Sequence, residues 1–375
     1  MQSFLQLVAH DLYAKIGNDL SRTALIFPNK RANLFFNEYL AGESDQPIWS
    51  PAAMSISDLF QKLSVQKSGD PIRLVCELYK VFKEETQSQE TLDDFYFWGE
   101  LLISDFDDVD KNMVDADKLF SNLQDLKNLM DDYEFLDKEQ EEAIQQFFQN
   151  FSIERRTELK EKFISLWDKL GTIYHHYREN LTELGIAYEG MLYRNVIEQL
   201  DTDQLKYDKY IFVGFNVLNK VENEFFRKLK DAGKALFYWD YDIFYTQQIR
   251  KHEAGEFLKR NLGEFPNELP ESFFDTFKEP KKIRYISAST ENAQARFLPE
   301  WIKMITDNHS QIAEEKEKEN AVVLCNEALL LPVLHSIPQE VKNVNITMGF
   351  PLAQTPIYSF INAAMELQTN GYRSD

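Results

Sequence analysis

Asp105, Asp107, Asp108 and Asp110 crowd into one short stretch of the chain. A calcium loop uses carboxylates in this way, but it also needs Gly at its sixth position and Glu at its twelfth. Counted from Asp105, those places hold Asp110 and Ala116, so the four acids are expected to face solvent or to pair with Lys111 and Lys118. His175-His176 falls in an aromatic-rich helical pattern and is read as structural, and Cys76 and Cys325, in apolar surroundings, as small buried hydrophobes. Lys30 and Arg31 follow an apolar run directly and are the basic pair best suited to meet phosphate. In Tyr238-Trp239-Asp240-Tyr241-Asp242 the rings could stack bases or pack a sheet, and Trp239 is kept as a nucleic-acid candidate. Arg155-Arg156, Arg250-Lys251 and Lys281-Lys282 with Arg284 are isolated basic groups, read as solvated faces.

Nucleotide hydrolysis needs backbone amides and a lysine to hold the phosphates, normally from a Gly-Lys-Ser/Thr turn that opens a helix. The one Gly-Lys pair, Gly233-Lys234, is followed by Ala235 and leads into an apolar, strand-like run instead. No cofactor and no metal site are therefore expected. The formal charge of −21 is spread along the chain, so most of the surface should repel a polyanion and any contact with nucleic acid must be local or assisted by a partner. Apolar runs such as Ala328–Leu334 fall well short of the roughly 20 residues of a membrane span, and no secretory leader pattern opens the chain. A cytoplasmic location without membrane contact is the expectation.

Several elements must position these groups. Residues 1–20 read as a helix, Thr23–Phe27 as a buried strand stopped by Pro28, and Arg31–Leu40 as a helix, which puts Asn29-Lys30-Arg31 on a strand-to-helix turn. Ser57 is expected to cap a short helix, and Pro71 to open the next. Thr91 with Asp94 resembles a capping box at the head of an all-helical block that runs without strands to about Leu205. Tyr210–Phe215 and Ala235–Trp239 then read as strands around the helix Glu222–Asp231, so one parallel sheet should begin near residue 23 and resume near 208. After Pro280, strands are expected at Lys282–Ser287, Ala321–Cys325 and Val344–Met348, with a helix over Glu291–Thr306 and a charged connection over Ala313–Asn320. So few strands suggest the front portion of a longer polypeptide.

Five segments carry a family resemblance: TALIFPNKRANLFF at 23–36, LLISDFDDVDKNMVDADKLFSNL at 101–123, YDKYIFVGFNVLNKVENEFFRKLK at 207–230, GKALFYWDYDIFY at 233–245 and NVNITMGFPLAQTPIYSFI at 343–361. Together they resemble the amino-terminal part of the AddB-like proteins of Bacteroidetes, inactivated superfamily I helicases whose full forms end in a PD-(D/E)XK nuclease. The resemblance implies an α/β fold: a RecA-like parallel-sheet domain (1–90 and 206–280) without its P-loop, a helical insertion (91–205) and the start of a second RecA-like domain (281–375). It makes Asn29, Lys30 and Arg31 candidates for DNA-backbone contact through the turn such helicases call motif Ia, and it adds Thr347 and Gly349 from the second motor domain. Gly214-Phe215-Asn216 stands where active relatives carry Asp-Glu for magnesium. The implied function is a non-catalytic scaffold of an AddB/RecC-type ATP-dependent exonuclease in double-strand-break repair, which positions DNA and docks an AddA-like helicase-nuclease subunit. An interaction module that touches no DNA and an NTPase with an atypical site are the alternatives.

Overall fold

β1, Thr23–Phe27, is buried along its whole length because helices cover both of its faces. The structure is a computed structural model that describes residues 2–124, 158–247, 252–305 and 320–370. The chain divides into two units, Met1–Glu279 and Pro280–Asp375. In the first, β1 is central in a parallel sheet of order β2-β1-β5-β6, with β2 at Ala52–Ser55, β5 at Lys209–Val213 and β6 at Ala235–Tyr238. Ala24 pairs with Ala52 on one side and Tyr210 on the other, and Tyr210 with Ala235. The sheet that opens at residue 23 thus resumes at residue 209 as the β1 neighbour.

Alternation of side chains sorts the strands between two cores. Leu25, Phe27, Ile211, Val213 and Tyr238 pack with α1 (Phe4–Ile16) and α2 (Ala32–Ala41). Ala24, Ile26, Phe212 and Phe237 point the other way, toward α3 (Ile56–Leu63) and, further along, α9 (Lys220–Asp231). That second core continues into the helical block of α4 (Pro71–Thr86), α5 (Leu92–Lys111), α6 (Ala116–Gln124), α7 (Glu158–Glu183) and α8 (Glu189–Gln199). Asp70 accepts from the amides of Ile72 and Arg73 ahead of Pro71, and Thr91 and Asp94 cap one another, so both predicted starts hold.

The structure corrects other expectations. Ser55, not Ser57, caps α3, in a reciprocal capping box with Asp58. The strand β2 that ends in this cap has only small residues and Met in its sequence; its ladder to β1 makes it a strand. The helical block is not free of strands: β3 (Lys67–Ser68) and β4 (Ile186–Ala187) form a second small parallel sheet. In the second unit none of the three expected strands forms among the described residues. Ile283, Tyr285, Val323, Val344 and Ile346 are exposed there, and Cys325 is exposed rather than buried. An extended segment becomes a strand only when a neighbour satisfies its amides and carbonyls, and among the described residues these segments have none. The helix expected over Glu291–Thr306 is split into α12 (Glu291–Arg296) and α13 (Leu298–Ile305), because Pro299 cannot donate to the preceding turn. With α14 (Leu330–Ser336) these helices bury Ala295, Leu298 and Val333, and α15 (Pro356–Asn370) follows. Arg155-Arg156, Arg250-Lys251 and most of the charged connection at 313–320 lie outside the described residues. Among the described residues no helix is long and apolar enough to cross a membrane.

Candidate functional site

All four strands of the main sheet point the same way, so the turns that leave their carboxyl ends share one crest. From β1 the chain moves outward to β2, and from β5 it moves outward on the other side to β6. The order therefore reverses between β1 and β5, and at such a point the departing turns diverge and leave a crevice. Pro28–Arg31 borders it on one side. Gly214 borders it on the other, leaving β5 at φ 73°, which L side chains rarely adopt.

The helix starts along this crest differ in charge. At α3, Asp58 accepts from the Ser55 amide at 3.2 Å, while Ser55 Oγ accepts from the Asp58 amide at 3.2 Å. At α9, Asn219 and Glu222 form the same box. Each of these positive helix ends already faces its own carboxylate. α2 is the exception: its cap residue Arg31 makes no side-chain cap bond, and its first turn has no acid. The Asn29 side-chain oxygen accepts from the Arg31 amide at 3.1 Å, so Asn29 shapes the turn. Lys30 Nζ reaches Asp58 Oδ1 at 3.0 Å with the lysine side chain 75% exposed. The Ser55 hydroxyl, followed by Lys30 and then the Ser55 amide, holds the Asp58 carboxyl below the usual aspartate range against the opposing effect of burial. Arg31 is exposed and has no ion pair among the described residues. The result is a corner where a helix start without its own acid, Lys30 and Arg31 can attract an anion.

Trp239, in the same unit, is not brought to this corner. Trp239 is 1% exposed; its indole N–H donates to the Phe265 carbonyl at 2.8 Å and its amide to Asn267 Oδ1 at 3.0 Å. It is a core ring beside Phe237, not a base platform, because the strand end is roofed by the segment around Phe265. Thr347 and Gly349 are exposed residues of the second unit. The residue that sequence reasoning missed is Asp58: its place on a helical first turn is legible, but the β1–β2 pairing that brings it to Lys30 is not.

The four acids of the stretch have four fates, with Asp108 the exposed one. Asp110 is fully buried, and Asp107 pairs with Lys111 at 2.7 Å and accepts from the Gly190 amide at 2.5 Å. Asp105 keeps one buried oxygen without a hydrogen bond. The expectation of solvent-facing acids is therefore corrected for Asp110, because the helical turn that exposes Asp108 rotates Asp110 into the block. Lys118 pairs with Asp115 at 3.2 Å, not with the four acids of that stretch. His175 and His176 reach Asp117 at 2.7 Å and Glu85 at 2.6 Å, tying α7 to α6 and to α4. Among the described residues no group of three or more His, Cys, Asp or Glu side chains is arranged to hold a metal ion.

Burial, then the Asp108 carboxylate, push Asp105 up to about 7 from 3.8. The folded chain thus holds a proton that the unfolded chain releases, so this contribution is complete below pH 3.8 and is lost as pH rises through about 7. Asp105→Asn is expected to leave the melting temperature near pH 4 almost unchanged and to raise it at pH 8. Melts across that range check this, and an equal shift at both ends would refute it.

A scan against known protein families matches none, and a search of curated proteins finds no similar chain.

Proposed function

We propose that this chain is a non-catalytic, helicase-like scaffold that guides one DNA strand across the crest of its parallel sheet. It would act in the cytoplasm within an AddB/RecC-type exonuclease complex, beside an AddA-like helicase-nuclease subunit that supplies the ATP-driven movement. The observation that carries this reading is the corner at α2: a helix start without its own carboxylate, flanked by Lys30 and Arg31, at the point where the sheet order reverses. Phosphates of a passing strand fit there, whereas hydrolysis would also need a phosphate loop, and this sequence lacks one. The segment ahead of β1 is the amphipathic helix α1, whose first-turn cap is Ser3.

In the full chain, Lys30→Ala with Arg31→Ala is expected to weaken binding of a labelled single-stranded oligonucleotide about tenfold. The salt dependence should flatten by roughly 0.7 in slope for each phosphate that the variant no longer neutralises. Unchanged affinity and slope would remove the strand-guiding role. Asp58→Asn is expected to act in the opposite direction. The amide oxygen can still accept from Ser55, so the cap survives, but Lys30 loses the charge that competes with phosphate. An exposed ion pair is worth up to about 1 kcal/mol, so affinity should rise about two- to fivefold, and only when Lys30 is present.

A further inference from the structure

Beyond Arg31, α2 turns two large apolar side chains outward. Leu34 is 69% exposed and Phe35 46% exposed, while the core side of the same helix buries Phe36 and Leu40. Steps of three and four residues from Arg31 to Leu34 and Phe35 place all three on one helical face. A helix lying on a sheet normally gives such outward positions to charged residues. Here an arginine without an ion pair among the described residues and an exposed aromatic ring share the face with exposed Glu38 a turn further on, next to Lys30 and its partner Asp58, on a chain whose net charge is −21.

We infer that this face of α2 is a base platform and that its ligand class is single-stranded nucleic acid. Arg31 and Lys30 hold consecutive phosphates, and the Phe35 ring stacks on an unpaired base with Leu34 beside it as apolar floor. The basic pair sits at the head of the face, where a phosphate can meet it, and two copies of a chain of net charge −21 repel one another. The exposed ring selects an unpaired strand, because a duplex hides its base faces while a single strand offers every one of them. This inference rests on the strand-guiding reading above and adds to it where the bases go.

The experiment uses the full chain and three ligands of equal length: a single-stranded oligonucleotide, the corresponding duplex, and an abasic strand that keeps the phosphates. Phe35→Ala is expected to weaken single-strand binding about tenfold with the salt slope unchanged, and to leave duplex and abasic binding alone. Phe35→Trp should restore binding and add a tryptophan fluorescence signal that is quenched at saturation, above the wild-type change. If the Lys30/Arg31 double variant weakens binding and Phe35→Ala does not, the platform is wrong while the phosphate contact stands. Should neither variant matter, both readings fall. An equal loss on the abasic strand, or loss of a co-purifying protein in place of DNA, would also overturn the platform, the latter in favour of a docking face. Because Phe35 is outside the core, an unchanged melting temperature serves as the folding control.

Discussion

Replacing Asp110 with Ala is expected to destabilise the protein by about 3–5 kcal/mol, the loss associated with breaking a buried ion pair from one side. Asp110 has no exposed surface, and its two oxygens collect four side chains from two other helices and the residue that precedes the second of them. Tyr174 donates to Oδ1 at 2.6 Å, Tyr188 to Oδ2 at 2.5 Å, Arg178 donates to Oδ1, and Arg194 lies 3.3 Å from it. Arg178 passes the connection on to Asn195 at 2.9 Å, and Asn195 to Gln66 at 2.7 Å. Burial works against the charge on the Arg178 guanidinium, and Asp110, followed by Tyr174 and Tyr188, more than offsets it. For Tyr174 and Tyr188, burial and then Asp110 both push the phenol upward, so both stay protonated and donate. Without Asp110 the guanidinium is left in the block with no counter-charge. Asp110→Leu combined with Arg178→Met should therefore recover part of the loss, because the Arg178 charge is gone and Arg194 keeps Glu198 at 2.9 Å, while the Tyr174 and Tyr188 hydroxyls still lack their acceptor. Urea unfolding of the single and double variants tests this; a double variant no better than Asp110→Ala alone would show that the unpaired Arg178 charge is not the source of the loss, and an Asp110→Ala variant as stable as wild type would make the network incidental to stability.

Gly190→Ala is expected to cost about 2–3 kcal/mol, in the upper part of the usual range for forcing an extra methyl into a packed contact. A Cβ built at Gly190 would lie 2.3 Å from the Asp107 carbonyl oxygen and 3.0 Å from its Cα. The obstacle is backbone, which cannot rotate away as a side chain would. α5 and α8 approach this closely only because position 190 has no side chain, and the approach brings the Gly190 amide to Asp107 Oδ1. Lys111 then bridges Asp107 at 2.7 Å and Glu189 at 2.6 Å across the same joint. Separating the helices would loosen all of these interactions together. Thermal unfolding checks the expectation, and a melting temperature within a degree of wild type would mean that the helices slide apart without cost.

Much of the corner at α2 was legible in the amino-acid order. An apolar run stopped by Pro28 and followed by Lys30-Arg31 and a helical pattern placed the basic pair on a strand-to-helix turn, where it stands. That α2 lacks its own carboxylate could also have been read, since Asp58 and Glu222 sit on the first turns of the helices after β2 and β5. The partner of Lys30 could not, because Asp58 comes within 3.0 Å only through the pairing of β1 with β2, and β2 has almost no strand signature of its own. Trp239 misled for a similar reason: an aromatic ring at a strand end looks the same in sequence whether the end is open or roofed by Phe265.

Local chemistry written into the order of residues was sufficient for the first-unit elements that carry it. Short continuous apolar runs, apolar positions three to four residues apart, Pro71 at a helix start and the Thr91/Asp94 box produced β1, β5, β6 and the long helices, and the missing phosphate loop needed no coordinates. Distant pairings belonged to the folded chain: which strand adopts Ala52–Ser55, which way Asp110 turns, and whether Lys282–Ser287 finds a ladder. A backbone hydrogen bond or a buried charge is satisfied by a partner that can lie anywhere along the chain, and a local pattern holds no record of that partner.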